Sequence, residues 1–125
     1  MGLNHLNLTV PDVPRTREFF ETYFGFRTLL RRADHTLAVL VDGSRFVLSL
    51  NNFGKAGSVS YPGGFHIGFL QDSREAVDEV HRRLVDGGFR PNPPKEFHGA
   101  WTFYFDAPGG FTVEVLHQPG SEHAR

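Results

Sequence analysis

The segment FYFDAPGGFTVEV occupies residues 103–115. It predicts a hairpin, with strands over Trp101–Asp106 and Phe111–His117 joined by a turn rich in proline and glycine. Within the second strand, Glu114 stands between two valines. Because a carboxylate on an apolar strand is costly to bury without a partner, Glu114 is the most informative single residue in the chain.

Two further strands each carry a histidine. Leu3–Val10 alternates polar and apolar residues, and His5 lies on its polar face. A strand predicted at Phe65–Leu70 places His66 between two apolar residues. Since helices are expected to cover the apolar faces, His5, His66 and Glu114 should all point away from the helices.

Two imidazoles and one carboxylate suit Fe, Mn, Zn, Ni or Co in the divalent state. Three protein ligands leave coordination positions open for water or substrate, as a catalytic site requires. Each group also has a simpler explanation. A single histidine on a strand is more often hydrogen-bonded than metal-bound, and Glu114 could pair with an arginine or face water.

The element pattern predicts two βαβββ halves, with Asp12 and Asp72 as the residues that cap the two helices. Residues 51–64 predict a linker, and residues 91–99, which contain three prolines, predict a loop. The remaining strands are predicted near Phe26–Arg31, Thr36–Val41, Arg45–Leu50 and Phe89–Arg90.

The two halves also repeat each other in sequence. Each helix is followed by the same tripeptide, at 25–27 and 88–90, and each half closes with a glycine-containing hairpin. Such a repeat indicates two copies of one supersecondary unit that bury a shared core. When Gly43 is aligned with Gly109, Leu48 falls opposite Glu114.

Composition excludes several other classes of protein. The chain has 125 residues, a net charge of −1 and no cysteine, so disulfides and thiolate metal sites are ruled out. The charge gives no indication of a nucleic-acid-binding face, and no apolar stretch is long enough for a membrane helix. The first residues lack the features of a signal peptide, which predicts a cytoplasmic protein.

Three stretches resemble the vicinal oxygen chelate superfamily, which includes glyoxalases, bleomycin resistance proteins and extradiol dioxygenases. They are residues 2–10, 65–69 and 103–115, which resemble its first strand, its fifth strand and its closing hairpin. The family usually has Asp-Pro-Asp-Gly in that last turn, whereas this chain has Asp-Ala-Pro-Gly at 106–109. The resemblance covers about residues 2–117.

The resemblance implies an α+β fold in which paired βαβββ modules form a U-shaped open barrel. It implies a single domain over residues 1–125, with module one at about 2–50 and module two at about 65–117. It also implies one divalent metal held by His5, His66 and Glu114, and a homodimer, with the site either within one chain or shared by two. Glyoxalase I usually has a further Glu ligand on its fourth strand, at the position where the alignment places Leu48.

Two kinds of function are consistent with these residues. The first is a metal-dependent dioxygenase, lyase or transferase whose small substrate chelates the metal through adjacent oxygens, with Tyr104 and His98 as candidate catalytic residues. The second is a binding protein that sequesters an aromatic, drug-like ligand with or without metal, as bleomycin-binding relatives do. The predicted substrate pocket contains Asn7, Leu48, Thr102 and Tyr104.

Strand alternation predicts the walls of that pocket. Thr102, Tyr104 and Asp106 should share the metal-facing side. The helix-facing side should carry Trp101, Phe103 and Phe105. By the repeat, the metal-facing residues of the first half should be Thr36, Ala38, Leu40, Phe46 and Leu48. One wall would then be polar and the other apolar, which suits a substrate with one chelating end and one apolar end.

Overall fold

The computed structural model describes residues 1–120, which divide into two compact units. The first unit comprises Met1–Tyr61 together with Pro108–Gly110, and the second comprises Pro62–Ala107 and the chain from Phe111 onward.

The first unit is one βαβββ module. Its sheet has the order β1-β4-β3-β2, in which β1 and β4 are parallel and the other pairs are antiparallel. The elements are β1 (His5–Thr9), α1 (Val13–Phe24), β2 (Arg27–Arg31), β3 (Leu37–Val41) and β4 (Val47–Asn51).

The second unit repeats this topology with the sheet order β5-β8-β7-β6, in which β5 and β8 are parallel. Its elements are β5 (His66–Leu70), α2 (Arg74–Asp86), β6 (Lys95–Phe97), β7 (Ala100–Asp106) and β8 (Thr112–His117). The predicted α+β class and the paired βαβββ modules are therefore confirmed.

Local chemistry explains where the helices begin and end. Asp12 accepts a hydrogen bond from the Arg15 backbone N–H and caps α1 as predicted. Gly25 ends that helix at a φ of 70°, in the left-handed region that glycine adopts without strain. The prediction for α2 was wrong by one residue, because Ser73 rather than Asp72 is the N-cap and accepts from the Ala76 N–H.

The last strand pairing of the second sheet also differs from the prediction. Residues 89 and 90 are not in a strand, and β6 lies inside the segment that was predicted as a loop. All the prolines of that segment precede Lys95, so residues 95–97 keep the backbone N–H groups that pair with β7.

The core consists of apolar side chains from alternate strand positions and one face of each helix. The large side chains with less than 2% exposure are Leu8, Val10, Phe20, Leu40, Leu48, Leu50, Val77, Leu84, Phe103, Phe111, Val113 and Val115.

Among residues 1–120, neither helix is long and apolar enough to cross a membrane.

Candidate functional site

The second sheet has one face covered by α2 and one face that carries the candidate ligands. Phe103 packs edge-on against His81 of α2, with ring centroids 5.1 Å apart, and the Trp101 indole N–H donates to Asp78 of the same helix at 2.8 Å. On the opposite face, Tyr104 lies beside Glu114 in register. The predicted alternation of β7 is therefore confirmed.

His66 and Glu114 form a pair on the face away from α2. The distance between His66 Nε2 and Glu114 Oε1 is 3.4 Å, and the two side chains are 42% and 13% exposed. Among the described residues, no lysine or arginine forms an ion pair with Glu114. The simpler explanations of this carboxylate, an arginine partner or a fully solvated surface position, therefore do not hold.

Hydrogen bonds fix the orientation and tautomer of both candidate histidines. His66 Nδ1 lies 2.9 Å from the Gly64 carbonyl, which only accepts, so Nδ1 carries a proton and a neutral ring has its lone pair on Nε2. His5 Nδ1 lies 2.8 Å from the side-chain oxygen of Asn4, with the same consequence. A polar partner on the second ring nitrogen is the usual support of a metal-binding histidine.

One buried hydroxyl supports the Glu114 carboxylate, and a phenol lies beside it. Thr102 Oγ1 donates to Glu114 Oε2 at 2.7 Å, and Thr102 is fully buried. Tyr104 pairs with Glu114 across the β7–β8 ladder. Burial raises the pKa of Tyr104, and the neighbouring Glu114 carboxylate raises it further. The phenol therefore remains a proton donor at neutral pH.

The first sheet shows that the repeat alignment was wrong by one residue. β1 and β4 pair Asn7 with Ser49, just as β5 and β8 pair Gly68 with Glu114. The counterpart of Glu114 is therefore Ser49. Leu48 pairs with Leu6, on the face opposite to that of His5, and is 1% exposed.

The hairpins explain this slip. In each hairpin, one backbone hydrogen bond closes a loop of five residues. The Asp42 N–H donates to the Phe46 carbonyl, and the Ala107 N–H donates to the Phe111 carbonyl. The left-handed residue of the first hairpin is Arg45, at a φ of 68°, and its counterpart is Gly110, at 86°. Aligning glycine with glycine therefore shifted every following residue by one.

Because of this one-residue error, the residues predicted for the apolar wall lie on the opposite face of the first sheet from His5. Thr36, Ala38, Leu40 and Leu48 do not share the face of His5, and the predicted wall is wrong at these positions. The face of His5 remains mainly apolar. Its members on β3 and β4 are Leu37, Val39, Val41, Val47, Ser49 and Asn51.

The other predicted pocket residues have different environments. Asn7 is on the His5 face, and its side-chain oxygen accepts from the Asn51 amide at 2.7 Å, which leaves the Asn7 amide group available as a donor. His98 lies in the turn between β6 and β7 at a φ of 51°, with its ring 4.0 Å from that of Phe97. In the described part of the chain, His98 forms no hydrogen bond or ion pair with His66 or Glu114.

The sequence analysis did not identify the hydrogen-bond partners of the two histidines. The Gly64 carbonyl, which binds His66, has no distinctive sequence pattern, and neither does Ser49, the counterpart of Glu114. Asn4, which is adjacent to His5, could have been identified from the sequence.

Within residues 1–120, no three histidine, aspartate or glutamate side chains form a group that could hold a metal ion.

Comparisons with known proteins agree with this architecture. A model of the Glyoxalase/Bleomycin resistance protein/Dioxygenase superfamily matches residues 2–115. The structure of a possible glyoxalase from Bacillus cereus is 49% identical, with a TM-score of 0.83 over 93% of this chain and 98% of that chain. An uncharacterized protein from Pseudomonas aeruginosa is 31% identical over 131 residues, covering 96% of this chain and 94% of that protein.

A more distant structure shows likeness of fold alone. It is a fosfomycin resistance protein from Listeria monocytogenes, which is 20% identical and has a TM-score of 0.79 over 99% of this chain and 97% of that chain.

Proposed function

We propose that this chain, which belongs to the Glyoxalase/Bleomycin resistance protein/Dioxygenase superfamily, is a divalent-metal-dependent enzyme. Its small substrate chelates the metal through two adjacent oxygens. Its reaction is of the dioxygenase, lyase or transferase type.

The spacing of the His66–Glu114 pair carries this proposal. The separation of 3.4 Å is too long for a good hydrogen bond. Two donors at about 2.1 Å from one tetrahedral metal ion, by contrast, lie about 3.4 Å apart. Because Nδ1 of His66 donates to the Gly64 carbonyl, a neutral ring has its lone pair on Nε2. That lone pair lies close to Glu114 Oε1. These two atoms would both donate to a divalent cation, which would remove the repulsion between them.

The third ligand in this proposal is His5, from the same chain or from a second copy in a homodimer. Its Nε2 is the free ring nitrogen, because Nδ1 is held by Asn4. Nitrogen and carboxylate donors fit Fe, Mn, Zn, Ni or Co. A bound divalent ion would supply Lewis-acid polarisation of the two chelating oxygens.

The residues around the pair have separate tasks in such an enzyme. Thr102 orients one oxygen of Glu114, so that the other oxygen faces His66. Tyr104, protonated at neutral pH, is the candidate proton donor or orienting group for the substrate. His98 is a weaker catalytic candidate, because nothing in the described chain connects it to the pair.

The reaction differs from that of a standard glyoxalase I in this proposal. The family position of the fourth ligand, a glutamate, corresponds to Ser49 by strand register, and a neutral hydroxyl is a poor substitute for a carboxylate. We expect little turnover of the methylglyoxal–glutathione adduct. Efficient turnover by the wild-type chain with any of the five metals would contradict this part of the proposal.

A second candidate is a binding protein for an aromatic ligand that functions without metal. The observation that favours it is the lack, within residues 1–120, of a gathered three-ligand group.

Metal affinity distinguishes the two candidates. The metal-free protein is titrated with Co, Ni, Mn, Fe and Zn ions, and we expect about one ion per chain. Glu114→Gln and His66→Gln should each weaken the affinity at least a hundredfold, whereas Glu18→Gln, an exposed carboxylate on α1, should leave it unchanged. Absence of stoichiometric binding by the wild type, or equal binding by Glu114→Gln, would overturn the enzyme proposal in favour of the second candidate.

A further inference from the structure

A polar pocket lies near the His66–Glu114 pair, where residues 90–92 run beside the end of β7. Its volume is about 280 Å³. Asp106 pairs with Thr112 across the β7–β8 ladder, and Thr112 pairs with His66. The pocket therefore begins two residues along the strand from Glu114, a distance of about 7 Å. Its lining residues are Arg90, Asn92, Tyr104, Phe105, Asp106 and Thr112.

Two opposite charges line this pocket without neutralising each other. In residues 1–120, neither Arg90 nor Asp106 has an ion-pair partner within 4.0 Å. Both side chains are largely exposed. A ligand group with one negative and one positive charge would satisfy both residues, whereas a group with a single charge would leave one of them unpaired.

The backbone fixes the loop that carries the arginine. The Asn92 N–H donates to the Tyr104 carbonyl at 3.1 Å, outside the ladder that β6 forms with β7. This bond holds residues 90–92 beside Tyr104, which pairs with Glu114 across the β7–β8 ladder. One side chain, Tyr104, therefore contributes to both the charged pocket and the metal-ligand pair.

We propose that this pocket binds the zwitterionic end of the substrate, an α-amino acid group whose carboxylate pairs with Arg90 and whose ammonium pairs with Asp106. This inference rests on the proposed function, since the other end of the same substrate chelates the metal at His66 and Glu114. It narrows the substrate class to amino acid derivatives that carry two adjacent oxygens on the side chain. Asn92 and Thr112 supply neutral hydrogen bonds to the same group.

Four hydroxamates test the two charges separately, because all four chelate through the same two oxygens. Acetohydroxamate has neither charge, succinate monohydroxamate adds a carboxylate, β-alanine hydroxamate adds an ammonium, and L-aspartate β-hydroxamate has both. Affinity for the Co(II)-loaded protein is read from the visible absorption of the metal. We expect L-aspartate β-hydroxamate to bind at least tenfold more tightly than acetohydroxamate.

The variants assign each charge to its residue. Arg90→Gln should abolish the gain due to the carboxylate, and Asp106→Asn the gain due to the ammonium, while both variants keep the affinity for acetohydroxamate. Arg27→Gln, an exposed arginine on β2, is the matched control and should bind all four compounds as the wild type does. Equal affinity of the four compounds for the wild type would overturn the proposal while leaving the metal assignment intact.

A metal-free measurement separates failure of this inference from failure of the proposed function. Glycine is titrated into the ¹⁵N-labelled metal-free protein, with acetate and methylammonium as single-charge controls. We expect glycine alone to shift the amide signals of Asn92 and Thr112, and the shifts to disappear in Arg90→Gln. No shift with glycine, or equal shifts with acetate, would contradict the pocket assignment even if the protein binds no metal.

Discussion

At the scale of single residues, the hydrogen bonding of Glu114 matters most for the proposed metal site. Its carboxylate accepts from the Thr102 hydroxyl through one oxygen, and its other oxygen lies 3.4 Å from His66 Nε2. A carboxylate fixed in this way loses little freedom when it binds a cation, so the supporting hydroxyl should contribute to metal affinity.

Thr102→Val tests this support. The substitution keeps the β-branched shape but removes the 2.7 Å hydrogen bond to Glu114. We expect metal affinity to fall by about 10- to 100-fold, as for other side chains that hydrogen-bond to a metal ligand. Thr16→Val is the matched control, since Thr16 is equally buried and donates to the Asp12 carbonyl in α1. Both variants should lose about 1 kcal/mol of stability, but a comparable loss of metal affinity in Thr16→Val would contradict the specific role of Thr102.

Asp34, in the turn between β2 and β3, should make the stability of the protein depend on pH. Hydrogen bonds from the Thr36 hydroxyl and backbone N–H lower the pKa of Asp34, with a further contribution from the charge of Arg32. A lowered pKa in the folded state stabilises the protein above the unfolded pKa, and this stabilisation is lost as the pH falls through the folded pKa.

Asp34→Asn should therefore be less stable than the wild type near neutral pH, and the difference should disappear in acid. Urea unfolding at a series of pH values measures it. Thr36→Val, which removes the hydroxyl donor, should reduce the acid sensitivity. A difference between wild type and Asp34→Asn that stays constant down to the lowest pH would contradict the assignment.

At the scale of elements, two glycines have opposite roles. Gly110 ends the hairpin between β7 and β8 at a φ of 86°, and a Cβ there would lie 2.9 Å from the Val59 carbonyl oxygen. Gly68, in the middle of β5, has no positive φ, and its Cβ would meet only a Leu116 methyl at 3.7 Å.

Alanine at the two positions should therefore have opposite effects. Gly110→Ala should cost about 1–3 kcal/mol, because the conformation is strained and a backbone atom must move. Gly68→Ala should leave stability unchanged or raise it by about 0.4–1 kcal/mol, through the loss of freedom in the unfolded chain. Denaturant unfolding of the two variants and the wild type measures these changes in stability. A Gly110→Ala variant as stable as the wild type would show that the hairpin relaxes freely.

The same elements show how far sequence reasoning reached. Alternation in the β7–β8 hairpin correctly predicted which side chains share the Glu114 face, because the turn joins two strands in a fixed register. The register between repeats could not be read in this way. The left-handed position of the first hairpin is occupied by Arg45 instead of glycine, so the visible glycine was a misleading anchor.

Helix composition gives no sign of one buried contact. His81 stands beside two arginines, yet its ring packs on Phe103, and its Nε2 is buried without a hydrogen-bond partner among the described residues. Packing between α2 and the sheet decides its orientation, and no local pattern records that contact. The β6 strand was missed for a similar reason, since its pairing partner on β7 determines it.

At the scale of the whole molecule, the duplicated module explains why the two halves can divide the work. Equivalent strand positions carry His5 and His66, whereas Ser49 stands in the first module where the second has Glu114. Glu114, its hydroxyl donor Thr102 and the charged pocket therefore all belong to the second unit. The proposed contribution of the first unit is one imidazole ligand and a mainly apolar sheet face.

In the proposed function, one divalent ion binds at the His66–Glu114 pair. Anomalous diffraction from crystals of the Co(II)-loaded protein, at the cobalt absorption edge, would locate that ion. We expect one strong peak per chain, about 2.0–2.2 Å from His66 Nε2, from Glu114 and from one His5 Nε2. A peak bound through Nδ1 of either histidine, or one that does not touch Glu114, would contradict the proposal.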